Sequence, residues 1–192
     1  KKMFKRPIVA VMHLFVYMGF LIVNIELLEI VVDGIAGTHR NFAPLLGSLY
    51  APLINFFEFF AVMVIITCVI FLVRRNVIKI KRFQSSEMKG WGKLDGNLIL
   101  VFEILLMFAL LSMNALDTII AQNSGETLQF FFSGMFVPFY EGWLSIDHLH
   151  HAERVFWWFH ITGIFFFANY VMYSKHLHIF LAFPNTYFAS LY

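Results

Sequence analysis

The sequence predicts an all-α integral membrane protein, a bundle of about four transmembrane helices (a fifth is left open), with both termini cytoplasmic. Three observations predict it. Hydrophobic residues make up 60% of the 192, charged residues only 14%, and mean hydropathy is +0.74, whereas a soluble domain carries about 25% charged residues. Four apolar runs are long enough for the ~20-residue helix that crosses the hydrocarbon. All of the 14 Lys and Arg except Arg40 and Arg154 fall on one side of those runs, and the positive-inside rule makes that side cytoplasmic.

The whole chain, 1–192, reads as one transmembrane domain. Its first span covers about 7–32, with Pro7 suited to a first helical turn. That run is longer than the apolar core of a signal peptide and lacks a small-x-small cleavage site, so it is read as structure. The second span covers about 52–73. A basic connection follows, with Arg74, Arg75, Lys79, Lys81, Arg82, Lys89 and Lys93. It sets topology and attracts anionic headgroups; a sharper reading makes it a docking surface for an acidic partner. The third span covers about 96–120. The aromatic, glycine-punctuated stretch of about 127–143 reads as an interfacial or re-entrant segment. The fourth span covers about 153–182, with Trp157 and Trp158 suited to an aromatic belt and Pro184 as its stop.

Titratable side chains in hydrocarbon cost roughly 2.5–3.5 kcal/mol each on insertion scales and tend to mark function. His13 lies about two turns into the first span. His160 and His178 lie 18 residues apart in the fourth. On a continuous helix that spacing is five whole turns, so the two share a face, roughly 27 Å apart. Two same-face histidines near opposite leaflets are what two stacked haems require. His13 matches the depth of His178, and His176 is its alternate should the helix kink near Ser174. For His160, the glycines in Asp33-Gly34-Ile35-Ala36-Gly37-Thr38-His39-Arg40 permit a tight return that would offer His39. His148, His150 and His151 are rivals from the outer surface, with His151 the nearest in sequence. A lone buried histidine is equally well explained by a hydrogen bond to a neighbouring helix, and Asp147 to His151 by a solvated helix entry. Glu26, Glu29 and Asp33 occupy one face of the outer half of the first span. They read either as partners of Arg40, Arg154 or buried hydroxyls, or as a proton path or quinone pocket. Glu58 and Glu103 read as structural, paired with groups such as Asn55 or Ser112. The single cysteine, Cys68, excludes an iron–sulfur or zinc-thiolate centre built from this chain alone.

His160 and His178 at this spacing, His13 on an early span, and the stretches ELLEIVVDGIAGTHR (26–40) and SKHLHIFLAFPNTY (174–187) resemble a known family. It is the dihaem cytochrome b subunit of the nitrate reductase gamma and heterodisulfide reductase type, as found in bacterial membrane iron–sulfur oxidoreductases. The resemblance covers nearly the whole chain as a pattern of spans and histidines. It implies two b-type haems held by His13, His39, His160 and His178, and exchange with menaquinone or ubiquinone. It also implies electron transfer to or from a cytoplasmic iron–sulfur oxidoreductase subunit or C-terminal domain, in a bacterial inner membrane. Two features depart from the pattern. Nitrate reductase gamma-type subunits have five spans, and Val23 stands where a second early ligand is expected, ten residues after His13.

Two other classes were weighed. Di-iron desaturases gather about eight histidines on one membrane side, whereas here His148-x-His-His and His176-x-His face opposite sides. A non-haem membrane subunit or transporter using buried Glu and His for proton coupling is the alternative, though no inverted repeat supports a transporter. Phosphate loops, nucleophile elbows and nucleic-acid-binding patterns are missing from the sequence.

Overall fold

Proline marks where the helices begin. Pro7 opens α1 (Pro7–Ala36), Pro44 lies in the short α2 (Ala43–Leu46), Pro52 is third in α3 (Tyr50–Asn76), and Pro138 is second in α5 (Val137–Trp143). All sit in a first turn, where the missing N–H has no intrahelical partner to lose. The remaining helices of the computed structural model are α4 (Trp91–Asn123), α6 (Ile146–Val171) and α7 (His178–Tyr187), with 3-10 turns at Gly47–Leu49 and Ser133–Met135. The structure describes residues 7–38, 40–78, 90–125, 130–143, 145–174 and 177–188, and every described element is helical.

Among the described residues three helices are long and apolar enough to cross a membrane: α1, the α2–α3 unit Ala43–Asn76, and α4. On α1, residues Gly19, Val23, Glu26, Ile30 and Asp33 are buried, while Leu14, Leu21, Ile25, Leu28, Val32 and Ile35 are exposed. Both sets recur at three- and four-residue steps, so they are two faces of one helix. The exposed face is aliphatic and the buried one carries carboxylates, the reverse of a water-facing helix. The stretch of about 127–143 supplies only a 3-10 turn and the seven-residue α5 among the described residues, too short to cross.

α4 is the central element. It packs against α3 and α6, and α1 packs against α3, so helices adjacent in sequence are adjacent in space. Every residue from Ala109 to Ile119 is buried. One core cluster draws Val23 and Ile30 from α1, Ala61 from α3, Leu110, Leu111 and Met113 from α4, and Ile161 from α6. Glycine allows the closest approaches. A Cβ at Gly19 would overlap the Val64 side chain, and one at Gly163 would lie 2.6 Å from Leu106 Cδ2.

The stretch expected as a fourth span is divided. α6 ends at Val171, whose carbonyl accepts both the backbone N–H (3.1 Å) and the hydroxyl (3.3 Å) of Ser174. Helix resumes at His178, so the five-turn argument that put His160 and His178 on one face does not describe this chain. The polar Ser174 diverts the hydrogen-bonding that a continuous helix needs. α6 also falls outside the membrane-length, strongly apolar class, because Arg154, His160, Asn169 and its Trp and Tyr residues interrupt its apolar run. Pro184 is not a stop either: it lies inside α7, which continues to Tyr187. Proline lacks an N–H and its ring crowds the preceding turn, but its carbonyl still accepts from the Phe188 N–H at 2.9 Å.

Adding a methyl at the α1–α3 approach should be costly. Gly19→Ala is expected to destabilise the detergent-solubilised protein by about 1–3 kcal/mol through overpacking. Gly142→Ala, where nothing lies within 4 Å of the added carbon, should be neutral or slightly stabilising. Equal midpoints for both variants in denaturant titrations would contradict the close packing.

Candidate functional site: a buried polar cluster and an apolar groove

α1 ends where Gly37 adopts φ 67° and the Thr38 N–H donates to the Asp33 carbonyl at 3.1 Å, a left-handed cap of the Schellman kind. The chain then folds back over the helix end. The Asp33 carboxylate accepts the backbone N–H of Arg40 (2.7 Å) and of Asn41 (3.0 Å), and the Thr38 hydroxyl (3.2 Å). Arg40 itself has φ 53°, a conformation costing a side-chain-bearing residue roughly 1–2 kcal/mol.

What holds Arg40 there is its side chain. The guanidinium donates to Asp117 Oδ2 through Nε (3.1 Å) and Nη2 (2.6 Å), to Asn114 Oδ1 (3.0 Å) and to the Tyr50 hydroxyl (2.9 Å). Burial opposes its charge, and Asp117 and Tyr50 outweigh that, holding the guanidinium above its ordinary pKa. The contacts continue outward from these partners. Tyr50 donates to Glu29, which also accepts the Phe42 N–H at 3.0 Å. Asn114 donates to Glu58 Oε1 (3.1 Å), and Glu58 Oε2 accepts the N–H groups of Phe132 (3.2 Å) and Ser133 (3.1 Å). One network therefore joins α1, the turn after it, α3, α4 and the segment before α5. Inside it lies a cavity of about 20 Å³ lined by Glu26, Glu29, Asp33, Arg40, Tyr50 and Asp117, with Trp157 of α6.

Sequence reasoning placed Glu26, Glu29 and Asp33 together and named Arg40 as a partner, and the structure brings those four to one cavity. It missed Asn114 and Asp117, although their i, i+3 spacing in an apolar run puts both on one helix face. The suggested partners of the deeper acids differ. Glu58 takes Asn114 rather than Asn55, because α4 and not α3 itself faces it; Asn55 instead accepts the Phe131 N–H at 2.7 Å. Glu103 accepts from the Cys68 thiol at 3.1 Å, and Ser112 turns back onto the Phe108 carbonyl. Arg154 does not reach the cluster: it pairs with Glu153 at 3.3 Å and lies over Trp157.

The histidines fall into three groups. His160 is 1% exposed, and its Nδ1 lies 2.9 Å from the Leu106 carbonyl of α4. A carbonyl only accepts, so Nδ1 carries the proton and Nε2 keeps a lone pair. His13 packs on the Phe71 ring, centroids 4.9 Å apart, and lies close enough to His178 for the two to interact electrostatically. α7 reaches this position by packing Phe180 edge-on against Phe20 of α1. His148, His150 and His151 are exposed at the start of α6. His39 and His176 lie outside the described residues.

Between α1 and α6, with α4 as its floor, runs an apolar groove bordered by Val16, Phe20, Leu27, Met107, Ile164 and Phe167. It holds about 60 Å³ and is open on one side, and Glu103 and Asn24 are its polar edges. Ile164 is one turn from His160, and Leu106 belongs both to the groove and to the His160 hydrogen bond. The described histidine donors beside apolar walls are thus the buried His160 imidazole, with Nδ1 on a carbonyl, and His13 with His178 within electrostatic range of each other. Among the described residues no three His, Cys, Asp or Glu side chains converge as a metal-ion cage.

No family model matches the chain, and no solved structure matches it. Two curated proteins are similar to it over nearly its whole length. One is the EtfAB:quinone oxidoreductase of Syntrophomonas wolfei, 25% identical over 99% of this chain and 26% of that protein. The other is the probable iron-sulfur-binding oxidoreductase FadF of Bacillus subtilis, 24% identical over 98% of this chain and 25% of that protein. The chain therefore spans about a quarter of the length of these relatives.

Removing Arg40 takes from Asp117 the guanidinium that it pairs with at 2.6 Å. Arg40→Met should cost about 3–5 kcal/mol of stability, as for a broken buried ion pair. Adding Asp117→Asn should recover part of the loss. A double variant no more stable than Arg40→Met would show that the pair is not the unit that matters.

Proposed function

We propose that this chain is a membrane-embedded electron-transfer module that holds b-type haem and passes electrons between a membrane quinone and an iron–sulfur oxidoreductase partner on the cytoplasmic side. The observation that carries the proposal is His160, fully buried beside an apolar groove, with Nδ1–H fixed on the Leu106 carbonyl. That arrangement fixes the tautomer and ring orientation of a metal-ligating histidine. His13 and His178 supply the pair for a second level nearer the cytoplasm, and His39 is the proposed partner of His160. When bound, haem supplies a one-electron carrier at each level.

The chain's own residues have distinct parts in this reading. The walls of α1 and α6, rich in Phe, Val and Ile, exclude water from the groove, and low polarity keeps a carrier from being solvated as it changes charge. Glu26, Glu29 and Asp33 line the outer end, where quinone chemistry moves protons together with electrons. The relatives' names support the two exchange partners, a quinone in one and an iron–sulfur centre in the other. The lone Cys68 means such clusters belong to another polypeptide or another part of a longer one. In this reading α1, α3 and α4 cross a bacterial inner membrane with the Lys- and Arg-rich side cytoplasmic, and α6 completes a fourth crossing against α4. The alternative is a haem-free membrane subunit that uses its buried acids for proton coupling, which the cluster around Arg40 favours.

A dithionite-reduced minus oxidised spectrum with pyridine haemochrome quantitation separates the two. About two b-type haems per chain are expected, with one lost in His160→Ala and one in His178→Ala. A wild type with a single haem that survives in His160→Ala would discard the outer site. A folded, colourless protein would sink the proposal in favour of the proton-coupled reading.

A further inference from the structure

The polar cluster buries five carboxylates, Glu26, Glu29, Asp33, Glu58 and Asp117, each at most 8% exposed. Among the described residues Arg40 is the only cation bonded into it. With all five ionised, the described groups would carry an excess of negative charge that an apolar interior disfavours, and a proton on one acid or a bound cation reduces it. The donors around each acid indicate where. Asp33 accepts three hydrogen bonds, Glu58 three, Glu29 those of Tyr50 and the Phe42 N–H, and Asp117 the Arg40 fork. Those sets suit the charged form, which only accepts. Glu26 differs: it is 4% exposed, and its Oε2 has no hydrogen-bond partner.

We infer that Glu26 is a proton-storing site, carrying the carboxylic proton of the cluster in the resting protein and exchanging it through the outer cavity. A protonated carboxyl has one O–H to donate, and the cavity of about 20 Å³ is large enough for one water to receive it. The groups facing Glu26 are Glu29 and Asp33 from α1, Arg40 from the turn, Tyr50 and Glu58 from α3, and Asp117 from α4. α6 contributes Trp157, with the exposed Arg154 over its ring. Asn114 comes within hydrogen-bonding reach of Glu26, and Asp33, bonded to Thr38, lines the same cavity toward the end of α1. Trp157 precedes His160 by one turn of α6, so the stored proton lies beside the proposed outer carrier. Uptake on reduction and release on oxidation is the step that rests on the electron-transfer reading; the resting proton does not.

The test is the infrared spectrum of the purified chain near neutral pH in H2O and in D2O. Wild type should show the carbonyl stretch of a protonated carboxyl that shifts in D2O. The band should be lost in Glu26→Gln, displaced in Glu26→Asp and retained in Glu29→Gln. Absence of the band, or its survival in Glu26→Gln, overturns the inference. So does a missing band accompanied by an unfolding temperature raised by Na⁺ and not by K⁺, which would make the cluster a cation site. A colourless chain that keeps the band refutes the electron-transfer reading and not the proton site; a haem-loaded chain without it does the reverse.

Discussion

The ion pair between Arg40 and Asp117 is the contact on which the Arg40 end of the bundle depends. An arginine cannot shed its charge in a protein, so once it is buried the chain must surround it with acceptors. Arg40 takes Asp117 and Asn114 from α4 and the Tyr50 hydroxyl from α3, while its own N–H fixes Asp33 of α1. Three long helices are thereby tied at one level. The left-handed backbone at Arg40 is tolerated because the fork it makes with Asp117 requires the guanidinium at that place. Asn114 extends the tie to Glu58, and Glu58 in turn holds the Phe132 and Ser133 N–H groups that close the end of the bundle.

The distribution of polarity follows from the same demand. α1 and α3 turn aliphatic and aromatic residues outward and keep acids inward, while α4 is buried along most of its C-terminal half. In an apolar surround the cheap place for a leucine is anywhere, and a carboxylate is stable only where donors converge. Packing between helices then relies on small residues. Gly19 meets Val64, Gly163 meets Leu106, and Gly34 meets Trp157, close approaches of the kind that substitute for a hydrophobic drive between helices.

Much of this was legible in the sequence, for reasons that differ by element. The long helices are written in apolar runs, and the starts of α1 and α3 in Pro7 and Pro52. The face shared by Glu26, Glu29 and Asp33 follows from helical spacing, and the reversal toward Arg40 from Gly34 and Gly37. Asp117 and Asn114 were not legible as partners, because a helix apolar on all sides gives no sign of its rotation about its axis. Only the position of α4 between α3 and α6 decides which groups its polar residues meet. The separation of α6 from α7 was hidden for a similar reason. A kink near Ser174 was open from the sequence, but the two hydrogen bonds that its N–H and hydroxyl donate to the Val171 carbonyl are a local choice that a count of turns does not supply.

The chain order of Arg40 and its anion has a consequence for biogenesis. Translation delivers α1, the turn and α3 before Asn114 and Asp117 exist. Until α4 arrives, the guanidinium has only Tyr50 and the α1 acids near it, and nothing fixes its left-handed backbone. The first hairpin is thus a provisional object whose end is finished by a later helix. A lesion at Asp117 acts first on maturation: the nascent protein stays open at that end, exposed to membrane quality control, before any question of the finished protein's stability arises.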